Sequence, residues 1–363
     1  MGYSDEEILI WLSYNGINSD KIEKLENIFK NMKDILYISR NELENLRLLN
    51  SNMIDKLLGS DIDDVLNTIY NMKKSNNIGI LTTYSSNYPI SLKFISDKPS
   101  VLYYKGDIGL INSNSIAIVG TRKPTLYGKW ACEKFTKELT NYNLTIVSGL
   151  AYGIDTIAHK TALLNHGQTI AVLGCGINKI YPKSNKALYD DIENNGLIIT
   201  EFSPDTEPFK YNFPQRNRII SGLSYGVLVI EAQKNSGSLI TASHALNQGK
   251  EVFSIPGNIN SLYSEGTNAL IKDGAKLVQD VEDILVELEN ILHLEYNTKA
   301  CINNVELGDT ENAIYTILKD GPLHSDLIAL KSGLDINIVN STLTILEIKG
   351  VVKEIAPSTF TIC

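Results

Sequence analysis

Five short stretches in the middle of the chain gather glycines, hydroxyls and cations in the manner that anion binding requires. Gly120, Thr121, Arg122 and Lys123 follow an apolar run at 116–119 and lead into a helix-like stretch. A turn glycine, a hydroxyl and two cations ahead of a helix N-terminus suit a phosphate, which Arg122 can grip through two parallel hydrogen bonds. A merely solvated Arg-Lys turn is the competing reading. Gly149 and Gly153 open a second strand-to-helix turn, with Asp155 and His159 four residues apart on one helical face. Acid–base or metal chemistry is conceivable for that pair. With no third ligand or nucleophile close in sequence, capping by Asp155 is the stronger reading. Gly174 and Gly176 clear space after a third apolar run, and Lys183 and Lys186 lie before the next helix. Between those glycines, Cys175 reads as a small filler.

Phe213, Arg216, Asn217 and Arg218 open a helix that then turns apolar. Two arginines flanking an amide suit an extended phosphate chain, unless one of them pairs internally with Glu201 or Glu231. Ser236, Gly237 and Ser238 form a hydroxyl-rich turn before another helix, again an anion cradle. The turns at residues 120, 149, 174 and 236 each combine glycine with a donor, and together they imply a broad phosphate-lined groove. No Ser/His/Asp or paired-carboxylate constellation stands out, so binding is favoured over catalysis. The loop at 120 lacks the GxGxxG spacing of a dinucleotide site, which argues against a nicotinamide or flavin, and no cofactor is expected.

The elements that must carry these loops follow from periodicity. Apolar runs at 101–104, 116–119, 144–147, 169–173, 197–200, 227–230, 252–255 and 275–278 alternate with helical stretches such as Ala131, Phe135, Leu139 and Leu239, Ala242, Leu246. Such alternation predicts a doubly wound, mostly parallel α/β sheet covered on both faces, with ligands held beyond the carboxyl ends of the strands. Residues 1–77 read as a small helical module, with apolar residues such as Ile8, Leu9, Leu12 and Ile22, Leu25 at three- and four-residue steps. After a linker at 291–307, residues 308–363 run helix, helix, helix, hairpin, the order of a winged helix.

Composition sets the outer limits. The 363 residues are 43% hydrophobic and 21% charged, enough for two or three packed domains. The formal charge of -9 sits at the two ends, while residues 115–260 carry 14 basic and 11 acidic side chains. A nucleic-acid site is therefore permitted in the middle. The winged-helix stretch is acidic and reads as a protein-contact module. Cys132, Cys175, Cys301 and Cys363 lack the spacing of a zinc site or disulfide scaffold. No apolar run approaches a membrane span of about 20 residues, and the start lacks a signal peptide, so a cytoplasmic protein is expected.

The loops resemble the DNA-processing protein A (DprA, also called Smf) family. The matching residues are 119–122, 148–155 with Ala158 and His159, Tyr181 and Pro182, 213–224, 229–232, 236–242, Pro256 and Gly257, and 266–271. The resemblance implies an extended Rossmann-like domain over 78–290, a SAM-like helical domain before it and a winged-helix-like domain after it. It further implies single-stranded DNA as ligand, RecA recombinase as partner, a homodimer and a role in natural transformation. Carried over by position, Arg122 would bind phosphate, Lys183 would be a second basic contact, and Phe213, Arg216 and Arg218 would line the groove. Gly120, Thr121, Gly149, Asn217, Ser236, Gly237 and Ser238 complete the expected strand site, and Leu270 and Ile271 fall near the dimer contact. Thr121 replaces the serine of many members and keeps the hydroxyl. Asn15, Gly16 and Ile17 make a poor helix-hairpin-helix turn, which speaks against DNA binding by the N-terminal segment.

Two rival functions remain. Related Rossmann-like phosphoribohydrolases, which cleave nucleoside monophosphates, carry a PGGxGTxxE loop. Residues 231–241 here lack its double glycine and downstream glutamate, so the acid–base step has no carrier. A nucleotide-binding scaffold would instead predict tight mononucleotide binding with no preference for longer strands.

Overall fold

The computed structural model describes residues 2–29, 31–292, 307–319, 321–349, 351–356 and 358–362. By compactness the chain divides into two units, Met1–Leu294 and Glu295–Cys363. In the first, helices α1 (Asp5–Tyr14), α2 (Ser19–Ile28), α3 (Arg40–Asn45), α4 (Ser51–Leu58) and α5 (Ile62–Asn76) precede β1 (Gly79–Thr82), α6 (Ile90–Lys93) and β2 (Val101–Gly106). The wound part follows as β3 (Ser115–Val119), α7 (Leu126–Asn141), β4 (Thr145–Ser148), α8 (Ile154–Leu164), β5 (Thr169–Val172), α9 (Lys186–Asn195) and β6 (Leu197–Thr200). It continues through α10 (Asn212–Leu223), β7 (Gly226–Val229), α11 (Gly237–Asn247), β8 (Glu251–Ser254), α12 (Glu265–Lys272), β9 (Lys276–Leu277) and α13 (Glu282–Leu292).

The nine strands form one sheet in the order β1-β2-β6-β5-β4-β3-β7-β8-β9. Pairing is parallel from β6 to β9, and β2 runs antiparallel to both β1 and β6. Every residue of β3 is buried, because alternate side chains serve opposite faces. Ile116 and Ile118 join α7, α8 and α13 in one core, while Ala117 and Val119 join α10 and α11 in the other. Such two-sided burial is why the central strands read as unbroken apolar runs.

The structure differs from the sequence reading in three places. Strand β1 is four residues long and was not among the expected runs. The run expected at 275–278 shrinks to the two residues of β9, both exposed at the sheet edge. The N-terminal helices share a core with the sheet, since Ile8, Leu12 and Leu25 cluster with Tyr103, Leu188 and Ile198.

In the second unit, α14 (Asp309–Leu318), α15 (Ser325–Ser332) and α16 (Ile336–Ile348) enclose Ile314, Ile328, Val339 and Leu343. The hairpin of β11 (Val352–Ala356) and β12 (Thr359–Ile362) gains a short third strand, β10 (Leu323–His324), giving the winged-helix layout expected from the element order. Most of the linker expected at 291–307 lies outside the described residues.

Candidate functional site

Strand β3 lies between β4 and β7; the chain leaving β3 runs through α7 to β4 on one side, and the chain leaving β7 runs through α11 to β8 on the other. Such a switch point leaves a crevice beyond the strand ends. A cavity of about 840 Å³ occupies it, lined by the loops after β3, β4 and β7 and by the approach to α10. The first loop is tied to the third. Thr121 N donates to the Glu231 carbonyl at 2.8 Å, while the buried Glu231 carboxylate accepts from Thr125 N at 2.9 Å and Thr125 Oγ1 at 2.6 Å. Glu231 thus holds a turn; the arginine pairing considered for it is not formed.

The second loop rests on the first. Gly153 has φ +79°, and a Cβ there would stand 2.3 Å from the Thr121 carbonyl, so only glycine fits. Asp155 does not cap its own helix. Its Oδ2 reaches back to accept from Gly149 N at 3.1 Å and Ala151 N at 3.4 Å. Burial pushes the Asp155 carboxyl above its ordinary value, against the pull of Arg216 and the two amides. His159 belongs to the core. Thr169 Oγ1 donates to the Ile146 carbonyl at 2.7 Å, which leaves a lone pair to accept from His159 Nδ1 at 2.7 Å. Burial, helped by nearby Arg216, takes the imidazole down to about 3, so it stays neutral. Among the described residues no group of three or more His, Cys, Asp or Glu could hold a metal ion.

Helix α10 presents Phe213, Arg216, Asn217 and Ile220 to the cavity. Their spacing of three, four and seven residues is one helical face. Arg216 is nevertheless buried: Nη1 donates to the Gly149 carbonyl at 3.0 Å and also to that of Val172, and Nε donates to Asn217 Oδ1 at 3.2 Å. Burial lowers its guanidinium to about 10, opposed by Asp155. Arg216 therefore shapes the cavity floor more than it offers a free fork.

Arg218, expected on the groove, points the other way. Two residues along a helix is a rotation of roughly 200°. Its Nη1 and Nη2 donate to Glu201 Oε1 and Oε2 at 2.8 and 2.7 Å, with both side chains about 5% exposed or less. One arginine thus faces the cavity and the other forms the buried pair with Glu201.

Exposed charge comes from three sources. Arg122 and Lys123 lie on the first loop, and Lys210 lies on the segment leading into α10. The Arg122 guanidinium stands 5.9 Å from the Phe213 ring centre, and that ring lies 5.3 Å from Tyr181. Lys210 escaped the sequence reading; the available signal was a lone cation three residues before Phe213. Lys183, expected as the second basic contact, is exposed but stands outside the cavity lining. Gly149 also lies behind the lining, occupied by Arg216 and Asp155.

Opposite these cations, Ser236 Oγ caps α11 by accepting from Ser238 N at 3.4 Å, and it sits 2.8 Å from Ser238 Oγ. Asn217 Nδ2 donates to the Gly237 carbonyl at 3.3 Å. The α11 amides therefore add partial positive charge to the same cavity. Its lining holds Arg122, Lys123, Lys210 and Arg216 against the one carboxylate of Asp155. Such a surface can hold several phosphates. On α12, Leu270 and Ile271 are half-buried, and Leu270 packs against the core. Cys175 is buried, with Sγ bonded to the Lys179 carbonyl at 3.3 Å, and burial pushes its thiol up to about 11.

Comparison with known proteins agrees with the resemblance read from the loops. The family model described as DNA recombination-mediator protein A matches residues 79–289, and that of the DprA winged helix domain matches residues 303–356. The DNA processing protein DprA of Streptococcus pneumoniae is 48% identical over 202 residues, which is 56% of this chain and 71% of that protein. The X-ray structure of DprA from Streptococcus pneumoniae superposes with a TM-score of 0.68 at 36% identity, covering 79% of this chain and 99% of that one. A structure described as giving insights into the unique single-stranded DNA binding mode of DNA processing protein A from Helicobacter pylori has a TM-score of 0.54 at 34% identity, covering 60% of this chain and 97% of that one.

Proposed function

Since the chain belongs to the DNA recombination-mediator protein A family, also known as DprA or Smf, we propose that its cavity binds single-stranded DNA through the phosphates and serves DNA recombination. The observation that carries this reading is the convergence of Arg122, Lys123, Lys210 and the α11 N-terminus on one cavity at the strand switch point. Phosphate contacts of this kind position a strand without reading its bases. On this reading the bound strand is passed to RecA recombinase, and the protein acts as a homodimer through the surface around Leu270 and Ile271. In bacteria that import DNA, the same activity serves transformation, in the cytoplasm. No helix among the described residues is long and apolar enough to cross a membrane.

Fluorescence anisotropy of a labelled single strand tests the reading. Three exposed cations predict a log–log salt slope of about -2, at roughly 0.7 per contacted phosphate, and Arg122→Ala should remove about 0.7 of it for every sequence alike. A flat salt response, or mononucleotides competing as well as longer strands, would overturn it. Sedimentation of the parent and of Ile271→Glu tests the dimer, which requires the variant to be the lighter species. Faster RecA filament formation on a protein-bound strand is the result expected for the hand-off.

A further inference from the structure

Between β6 and α10 the chain alternates in what it offers. Pro208 and Lys210 line the cavity, whereas Phe209 and Tyr211 do not. The two aromatic rings instead lie face to face outside it, 5.5 Å between centres and 4° from parallel. Phe209 is 48% exposed and Tyr211 is 69% exposed. Scattered exposed apolar residues are ordinary, but two parallel, stacked rings beside a cation-lined cavity are a platform.

The segment that carries them is anchored. Gly176 N donates to the Thr206 carbonyl at 2.8 Å, Asn178 N to the Pro204 carbonyl at 2.9 Å, and Lys179 pairs with Glu207 at 2.7 Å. Phe209 N donates to the Glu207 carbonyl, and Asn212 N donates to the Phe209 carbonyl. The ring pair is therefore presented in place, with its more exposed member, Tyr211, outermost.

We propose that this pair is a base-stacking site that takes a nucleobase of the strand whose phosphates occupy the cavity. The inference rests on the proposed strand binding and adds a second kind of contact to it. Lys210 faces the phosphates while its two neighbours face a base, so one short segment would hold backbone and base of consecutive nucleotides. Every base has a π-face, so the contact would be tolerant of sequence while distinguishing a base from none. Tyr211 would carry the base, and Phe209 would hold the Tyr211 ring in plane.

The test compares a 12-nucleotide thymidine strand with the same strand made abasic, which keeps every phosphate. The parent protein should prefer the thymidine strand. Phe209→Ala/Tyr211→Ala should weaken thymidine-strand binding about tenfold, a typical loss for one stacked base, and abasic-strand binding less than twofold. Tyr211→Phe should restore the preference. If both strands bind the parent with the predicted salt slope but the double variant behaves as the parent does, the stacking site is refuted and phosphate binding stands. If the parent binds neither strand, both readings fall. Equal weakening on the two strands would also overturn the stacking site, because it would assign the effect to segment geometry.

Discussion

Replacing Arg218 should unfold the protein more easily and leave strand binding intact, and the opposite should hold for Arg122. The Arg218 guanidinium meets Glu201 through two parallel contacts of 2.8 and 2.7 Å, with side chains 5% and 4% exposed. In Arg218→Met the Glu201 carboxylate stays buried with a weak remaining donor, Ser19 Oγ at 3.5 Å. Removing one partner of a buried pair costs about 3–5 kcal/mol. For a unit of this size, about 2 °C per kcal/mol, the transition of the larger unit should fall by roughly 6–10 °C. Replacing both partners, as Glu201→Leu/Arg218→Met, removes the orphaned charge and should recover most of that loss. Calorimetry read beside anisotropy on the same variants makes the comparison. The reasoning is refuted if Arg218→Met melts with the parent and loses the salt-dependent strand affinity, since that outcome would put the guanidinium on the DNA. It is equally refuted if the double variant is no more stable than the single one.

Two further perturbations probe the packing beneath the cavity. His159 is held neutral down to about 3, whereas an unfolded imidazole protonates near 6.5. Between those values the unfolded chain binds the extra proton, so stability should fall as pH drops below 6.5, by up to about 1.4 kcal/mol per pH unit. Urea midpoints from pH 7.5 to 5 should show this slope reduced by one proton in His159→Gln, and an unchanged slope would contradict the neutral core histidine. A Cβ at Gly149 would stand 2.5 Å from Arg216 Nη2 and 2.8 Å from Asp155 Oδ2, so Gly149→Ala should cost about 1–3 kcal/mol in a thermal melt. Gly237→Ala meets nothing within 4 Å and should melt within about 0.5 kcal/mol of the parent; equal losses would contradict the packing assigned to Gly149.

The chemistry of the loops was legible because it is written locally. Glycine, a hydroxyl and a cation at a strand-to-helix turn occupy a few consecutive residues, and Gly120, Thr121, Arg122, Ser236, Gly237 and Ser238 all line the cavity. The core strands were legible for a related reason: β3, β6 and β7 are buried on both faces, so apart from Ser115, Thr200 and Gly226 at their ends every position is apolar. Lys183 and Lys210 show the limit. Both are exposed lysines near aromatic residues, and nothing in their neighbours tells which one borders the crevice.

Arg216 and Arg218 draw the line most clearly. Their residue types and helical setting could be read from the chain, but their roles depended on the phase of α10 against the sheet. That phase turns one guanidinium toward the Gly149 carbonyl and the other toward Glu201. Glu231 is similar, since its partner Thr125 lies 106 residues away. Local pattern was enough to establish an α/β sheet with glycine- and hydroxyl-bearing turns at its strand ends, because backbone geometry and burial act over a few residues. Which cations stay exposed at the cavity was decided by packing, because a buried charge needs a partner, and that partner comes from whichever distant element the fold brings beside it.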